Sequence, residues 1–321
     1  MLRKGFKMKF VSFVPYVCDL YAKDSFALFT QPCELGLLVE DSKNGDRVYP
    51  FSKLFVSDIP RIYTDMLTFI QFHTQEMLDS MREYHTCPYA FSIPQITLLA
   101  PIPMPKQDVI CLGINYLDHA RESAAFKNET FDEKRENAVY FSKRVNYASP
   151  HNAPIAAHSH LTQKLDYEVE LGVILKSHLY QPKTKQEALD SIFGYTIIND
   201  ISARDIQQKH KQWYMGKSLQ GSLPMGPCVL YAKDVNPQNL AIKSYVNNEL
   251  RQDSHTSLMI CDVASALYEL SHYCLLQAGS IVSMGTPSGV GMGFNPPRFL
   301  QKGDEVICEI ESIGTLKNSV V

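Results

Sequence analysis

Residues 167–175 read Y-E-V-E-L-G-V-I-L. The segment alternates polar and apolar at first and then runs apolar, the pattern of a strand entering a core. Side chains two apart on a strand share a face, so Glu168 and Glu170 stand side by side while Val169, Leu171 and Val173 take the other face. An E-x-E pair on a strand is ordinarily a solvated face. The continuation L-G-V-I-L argues instead for burial on both faces. Two adjacent buried carboxylates repel unless they gain a proton, a cationic neighbour or a metal ion. A third acid, Asp200, ends another apolar run, Y-T-I-I-N-D at 195–200. Three converging carboxylates are hard oxygen ligands, which suit Mg²⁺ or Mn²⁺ better than Zn²⁺.

Around this stretch the chain reads as strands with few long helices. Strands are expected at 9–14, 35–40, 108–113, 197–201, 280–284 and 304–310, with a turn at Asn44-Gly45. Helical spacing appears over 62–81 (Met66, Ile70, Met77, Met81) and over 261–278 (Val263, Ala266, Leu267, Leu270, Tyr273, Cys274). A methionine-rich stripe of this kind is more often core than binding groove. The linker P-I-P-M-P at 101–105 suggests a boundary there, with a small N-terminal α+β domain over 1–104 and the chemistry-bearing domain over 105–321. The fold class expected is α+β, or a barrel-like β core.

The 321 residues are 45% hydrophobic and 20% charged, with a net charge of -3 and no basic block. That composition gives no sign of a nucleic-acid or membrane partner. Eight cysteines contain no C-x-x-C pair, which argues against a thiolate zinc site. They read as reduced, mostly buried thiols of a cytoplasmic protein. The start M-L-R-K-G-F-K-M-K-F has a basic head but a short apolar run, closed by Asp19, Lys23 and Asp24, and does not read as a secretory signal.

Proton-transfer candidates follow the strand ending at Gly113. In N-Y-L-D-H-A-R-E, His119 and Glu122 are three apart and share a face if the segment is helical. A carboxylate on one imidazole nitrogen fixes the tautomer and raises the basicity of the other. The bland alternative is a surface histidine beside a glutamate. His158 and His160 form H-S-H, read as loop residues. Arg204 and Gln207 follow Asp200 by four and seven residues, near its face if a helix begins there. Arg204 is then either a two-pronged clamp for a substrate carboxylate or a salt-bridge partner of Asp205 or another acid. Lys217 sits in Y-M-G-K-S-L, but the position where a phosphate loop needs glycine holds Lys211 here. The loop G-T-P-S-G-V-G-M-G at 285–293 offers backbone amides to a carboxylate and lacks the helix start of a dinucleotide site.

Taken in order, G-I-N-Y-L-D-H-A-R-E, D-Y-E-V-E-L-G-V, G-Y-T-I-I-N-D-I-S-A-R-D-I-Q, G-K-S-L…P-M-G-P and G-T-P-S-G-V-G closely resemble the fumarylacetoacetate hydrolase (FAH) superfamily over roughly 105–321. N-N-E-L-R-Q-D at 247–253 is similar to a hairpin of that family. The branch most resembled is the bacterial oxaloacetate decarboxylase and acylpyruvase-like group with a small N-terminal domain. The resemblance implies an FAH-type mixed β-roll and a homodimer. It implies Mg²⁺ or Mn²⁺ on Glu168, Glu170 and Asp200, catalysis by His119, Glu122 and Lys217, and substrate binding by Arg204, Gln207 and Thr286.

The implied activity is metal-dependent cleavage of a small 2-oxo or β-diketo acid, by hydrolysis of an acylpyruvate-type substrate or decarboxylation of oxaloacetate. Tautomerisation or isomerisation, a ureidoglycolate-type lyase and a non-catalytic metabolite-binding module are the alternatives. The chain departs from the family pattern at Ile114, where Arg or Lys is common, at Gln220 and Gly221, which replace Asp and Thr, and at Cys261, where Phe is common. The lost cation and anion bear on substrate choice, and none of the departures touches the expected metal ligands.

Overall fold

The computed structural model describes residues 6–18, 33–127, 130 and 137–321. The basic head at 1–5 and the residues Asp19, Lys23 and Asp24 lie outside the described residues. The first strands are β1 (Lys9–Val14), β2 (Glu34–Val39), β3 (Arg47–Pro50), β4 (Phe91–Ser92) and β5 (Thr97–Leu98). Then come β6 (Val109–Gly113), β7 (Val139–Lys143), β8 (Pro154–Ile155), β9 (Leu165–Asp166), β10 (Val169–Leu175), β11 (Ile192–Asn199), β12 (Ser202–Ala203) and β13 (Met225–Tyr231). The last are β14 (Ala241–Val246), β15 (Glu249–His255), β16 (Ile281–Ser283), β17 (Glu305–Ile310) and β18 (Gly314–Val320).

Every residue of β10 and β11 is buried, as the apolar runs predict. Both strands lie inside an 11-stranded sheet of order β4-β3-β2-β1-β13-β11-β10-β16-β6-β7, with β5 added on β1. Within it β16 and β6 run parallel, whereas β10 pairs antiparallel with both β11 and β16. A second sheet, β15-β14-β17-β18-β8, packs beside it, and β12 pairs with β9 in a short ribbon. The first core cluster spans both sheets, with Leu171, Val173 and Ile197 meeting Ile242, Val306 and Leu316. Mixed sheets with few helices place the fold in the expected α+β class.

The strands of the first hundred residues extend this same sheet. β1 lies antiparallel to β13, with Lys9 opposite Leu230 and Phe10 opposite Val229. The expected boundary near residue 105 therefore falls between β5 and β6, and hydrogen bonding is continuous across the two regions. A second core cluster joins them. Phe10 stacks on Phe193 at 5.4 Å between centroids, and Phe69 meets Phe193 edge-on at 5.9 Å.

The helical stretch expected over 62–81 is two helices, α1 (Met66–Phe72) and α2 (Gln75–Arg82). His73 turns extended between them, and the Thr74 hydroxyl accepts from the Met77 amide to start a new helix. The later helices are α3 (Leu117–Lys127), α4 (Lys185–Asp190), α5 (Arg204–Lys209), α6 (Tyr214–Lys217) and α7 (Val263–Tyr273). α7 is the helix expected over 261–278, and Asp262 caps it by accepting from the Ser265 amide at 2.6 Å. Among the described residues no helix is long and apolar enough to cross a membrane. All eight cysteines are free thiols.

Candidate active site

The antiparallel register of β10 and β11 assembles the acids. Glu170 faces Ile198 and Val169 faces Asn199 across the ladder. One step further the Asp200 amide donates to the Glu168 carbonyl at 2.8 Å. Glu168 thus sits just before β10 and Asp200 just after β11, at one end of the pair. Ligand oxygens of Glu168, Glu170 and Asp200 lie within 4.8 Å of one another, and all three residues are buried.

Buried carboxylates this close must be compensated, and three basic side chains do it. The Lys217 ammonium donates to Glu168 Oε2 at 2.5 Å and to Asp200 Oδ2 at 2.6 Å. Lys143 donates to the other Asp200 oxygen at 2.6 Å and to the Ile201 carbonyl at 2.9 Å. Arg204 Nη1 reaches Glu168 Oε1 at 2.6 Å, and its Nε donates to Asp166 at 2.8 Å. Glu170 has no basic side chain against it among the described residues. It accepts from the Ser283 hydroxyl at 2.5 Å and the Gly285 amide at 3.0 Å.

The acids respond in opposite directions. Burial and the nearby charges of Asp200 and Glu168 push the Glu170 carboxyl well above the ordinary glutamate range. Burial would push Glu168 up too, but Lys217 and Arg204 overcome it and hold that carboxyl far below the ordinary range. On Lys217 the desolvation that would strip its proton is outweighed by Asp200 and Glu168, which keep it charged. On Lys143 burial wins over Asp200 and lowers its affinity for the proton.

Donor chemistry and charge therefore fit a divalent cation. Three oxygen ligands converge, and no side-chain cation pairs with Glu170 among the described residues.

Above the acids lies a cavity of about 400 Å³ lined by His119, Glu168, Glu170, Arg204, Gln207, Lys217 and Thr286, with Ile114, Phe141 and Trp213 among its apolar walls. His119 and Glu122 occupy successive turns of α3, and His119 Nδ1 meets Glu122 Oε2 at 2.9 Å. Glu122 is fixed from its other side by the Gly289 amide at 3.0 Å. Gly293 leaves no room for a side chain, since an added Cβ would fall 1.6 Å from Glu122 Oε1. The glycine loop at 285–293 therefore positions the dyad's carboxylate. With Nδ1 engaged, Nε2 is the imidazole nitrogen left for the cavity.

A family model for the fumarylacetoacetate hydrolase C-terminal domain matches residues 108–321. The chain belongs to the fumarylacetoacetate hydrolase family. It is 36% identical over 294 residues to the oxaloacetate tautomerase YisK of Bacillus subtilis, covering 89% of this chain and 95% of that protein. Among solved structures it is similar to the fumarylacetoacetate hydrolase of Exiguobacterium antarcticum, with a TM-score of 0.75, 33% identity and coverage of 98% and 99%. The 2-hydroxyhepta-2,4-diene-1,7-dioate isomerase of Mycobacterium marinum shares the fold at a TM-score of 0.68 and 24% identity, covering 98% of each chain. This chain is accordingly an FAH-family enzyme with the family's mixed β fold.

In this FAH-family site the nine residues singled out in the sequence lie close together, with Glu122 behind His119. Two of them have additional duties. Arg204 takes the salt-bridge side of the earlier alternative, with Asp166 and Glu168 as its acids. Its buried Nη2 has no hydrogen-bond partner among the described residues. Thr286 donates its hydroxyl to the Val169 carbonyl at 2.9 Å and accepts from Gln252 at 2.7 Å, so its proton is committed to the protein. Of the departures, Ile114 lines the cavity. It holds a left-handed backbone, φ 56°, that costs a β-branched residue about 1–3 kcal/mol. Asn115 clamps that turn by donating to the Met284 and Cys261 carbonyls at 2.8 and 2.9 Å. Gln220 and Gly221 stand outside the cavity lining.

Three residues of the site had no assigned role in the sequence reading. Lys143 closes β7, a partly buried strand with nothing to mark its last residue. Asp166 anchors Arg204 and accepts from the Gly291 and Met292 amides at 2.6 and 3.0 Å. Gln252, inside the hairpin quoted for its resemblance, bonds Ser244, Thr286, the Val169 amide and the Pro287 carbonyl. The available signal was position inside a recognised motif, and for Lys143 there was none.

Proposed function

We propose that the enzyme moves a proton on a small 2-oxo acid, interconverting its keto and enol forms, with oxaloacetate as the first candidate substrate. The observation that carries this reading is the His119 imidazole, oriented by Glu122, in the same cavity as the buried carboxylates. Mg²⁺ or Mn²⁺ held by Glu168, Glu170 and Asp200 would supply Lewis-acid polarisation of the substrate's 2-oxo oxygen. The unpaired Nη2 of Arg204, with the Gln207 amide three residues on, would take the substrate carboxylate. His119 Nε2 accepts the C3 proton and returns it to oxygen, and Glu122 holds the ring and stabilises the imidazolium. The Lys217 ammonium adds positive charge where the oxygen becomes negative. The similarity to an oxaloacetate tautomerase supports this choice of substrate.

The test follows enol absorbance of oxaloacetate with Mg²⁺ and Mn²⁺. His119→Ala is expected to slow the enzymatic rate ~10²–10⁴-fold. Wild-type protein that leaves the spontaneous rate unchanged with either ion would overturn the reading. A second reading, hydrolytic cleavage of an acylpyruvate-type acid, is favoured by the rigid His119–Glu122 pair, which is equally suited to activating water. Acetylpyruvate and fumarylpyruvate in the same assay decide between them, and decarboxylation of oxaloacetate is read as CO₂ release.

A further inference from the structure

Tyr167 opens the Y-E-V-E run at 167–170, between the anchor Asp166 and the acid Glu168. It lies in the short link from β9 to β10. Its ring is fully buried in the first core cluster. The hydroxyl donates to the Gly289 carbonyl at 2.9 Å. Gly289 also donates its amide to Glu122 Oε1 at 3.0 Å, and Glu122 Oε2 meets His119 Nδ1 at 2.9 Å. One residue of the glycine loop therefore joins a core tyrosine to the carboxylate that orients the imidazole.

Gly289 is confined on a further side. Its φ is 101°, and an added Cβ would fall 2.0 Å from the Arg251 carbonyl oxygen and 3.1 Å from Gln252 Cα. The backbone of β15 thus closes the space behind it. Further along the loop, the Gly291 and Met292 amides reach Asp166, the residue before Tyr167. Asp166 and Tyr167 together clip 289–292 to the same stretch of chain that supplies Glu168. The dyad on α3 and the acids at the end of β10 and β11 are therefore held on one footing. A buried tyrosine needs only some acceptor for its hydroxyl. Here the acceptor belongs to the residue that holds Glu122.

We infer that the Tyr167 hydroxyl is a positioning group for the proton-transfer dyad. It fixes Gly289, whose amide fixes Glu122, and so sets the direction in which the His119 imidazole faces the cavity. Tyr167 itself touches no substrate. The inference rests on the reading of His119 as the proton carrier and deepens it.

Tyr167→Phe keeps the ring and removes only the donor. Two readouts separate positioning from general loosening. The first is the ¹⁵N signal of the His119 ring in histidine-labelled protein, assigned with His119→Ala and recorded without substrate. In Tyr167→Phe it is expected to move toward its place in Glu122→Ala. The second is steady-state kinetics on oxaloacetate with Mg²⁺, where kcat should fall about ten-fold, the size of one lost hydrogen bond, while KM stays within about two-fold. Tyr195→Phe, at a buried tyrosine of β11, should leave both readouts at wild-type values. An unmoved His119 signal in Tyr167→Phe would sink the inference. So would equal losses in Tyr195→Phe, or a rise in KM with kcat preserved. A moved signal in an enzyme that turns over no 2-oxo acid leaves the positioning role standing and removes the proposed reaction. Turnover with an unmoved signal does the reverse.

Discussion

Glu170 couples the stability of the fold to pH. Its folded-state affinity for a proton exceeds the unfolded one, so it stabilises the fold below its ordinary value of 4.5. That contribution is lost as pH rises through the raised value. Glu168 acts with the opposite sign. Its stabilising contribution is present above 4.5 and is lost as pH falls below it. In chelator-treated enzyme, melting temperature is therefore expected to fall as pH rises above 4.5 for wild type and to stay flatter for Glu170→Gln. Adding Mg²⁺ should remove the wild-type slope, since a divalent ion favours the ionised carboxylate. The same slope in Glu170→Gln as in wild type would contradict this. At this scale the acids were legible in the sequence, because two carboxylates inside an apolar run demand compensation whatever the fold. Their compensating partners were not. Lys143 is 57 residues from Asp200, and only tertiary pairing brings it there.

At the level of elements, α6 is a four-residue helix that carries Lys217 and presses against α5 with almost no clearance. At Gly216 an added Cβ would meet the Gln207 amide nitrogen at 2.7 Å and the Ala203 carbonyl at 2.8 Å, both backbone atoms. Gly216→Ala must push α6 outward, at a cost of about 1–3 kcal/mol from overpacking. It should lower kcat more than an equally destabilising change elsewhere, measured by urea denaturation beside steady-state kinetics. The glycine of G-K-S is thus a spacing device between two helices, a role that the motif alone did not disclose. The loop glycine Gly293 acts similarly against Glu122. Gly293→Ala should reduce turnover by displacing the dyad's carboxylate while leaving Mn²⁺ affinity near wild type, read by calorimetry. Strand positions were legible from alternation and apolar runs. The break at His73–Thr74 was not, because an apolar stripe continues across it and the capping hydroxyl was hidden within the helical pattern.

Over the whole molecule, the ladder joining β1 to β13 makes the first hundred residues part of the catalytic sheet. Phe10→Ala, far from the acids, is expected to cost about 3–5 kcal/mol and to lower one shared unfolding transition, seen identically by calorimetry and by loss of activity. Two separate transitions would show that the regions fold independently. The linker prolines suggested a boundary that hydrogen bonding runs across, since strand pairing between distant segments leaves no local mark. Lys217, Lys143 and Arg204 set three basic side chains among Glu168, Asp200 and Asp166. The chain thus brings its own provisional counter-ions from the ribosome onward. With an ion bound as proposed, maturation would be two separable events, a fold that closes around internal neutrality and a later capture of mineral from the surroundings, and scarcity of the latter should idle the enzyme without unravelling it.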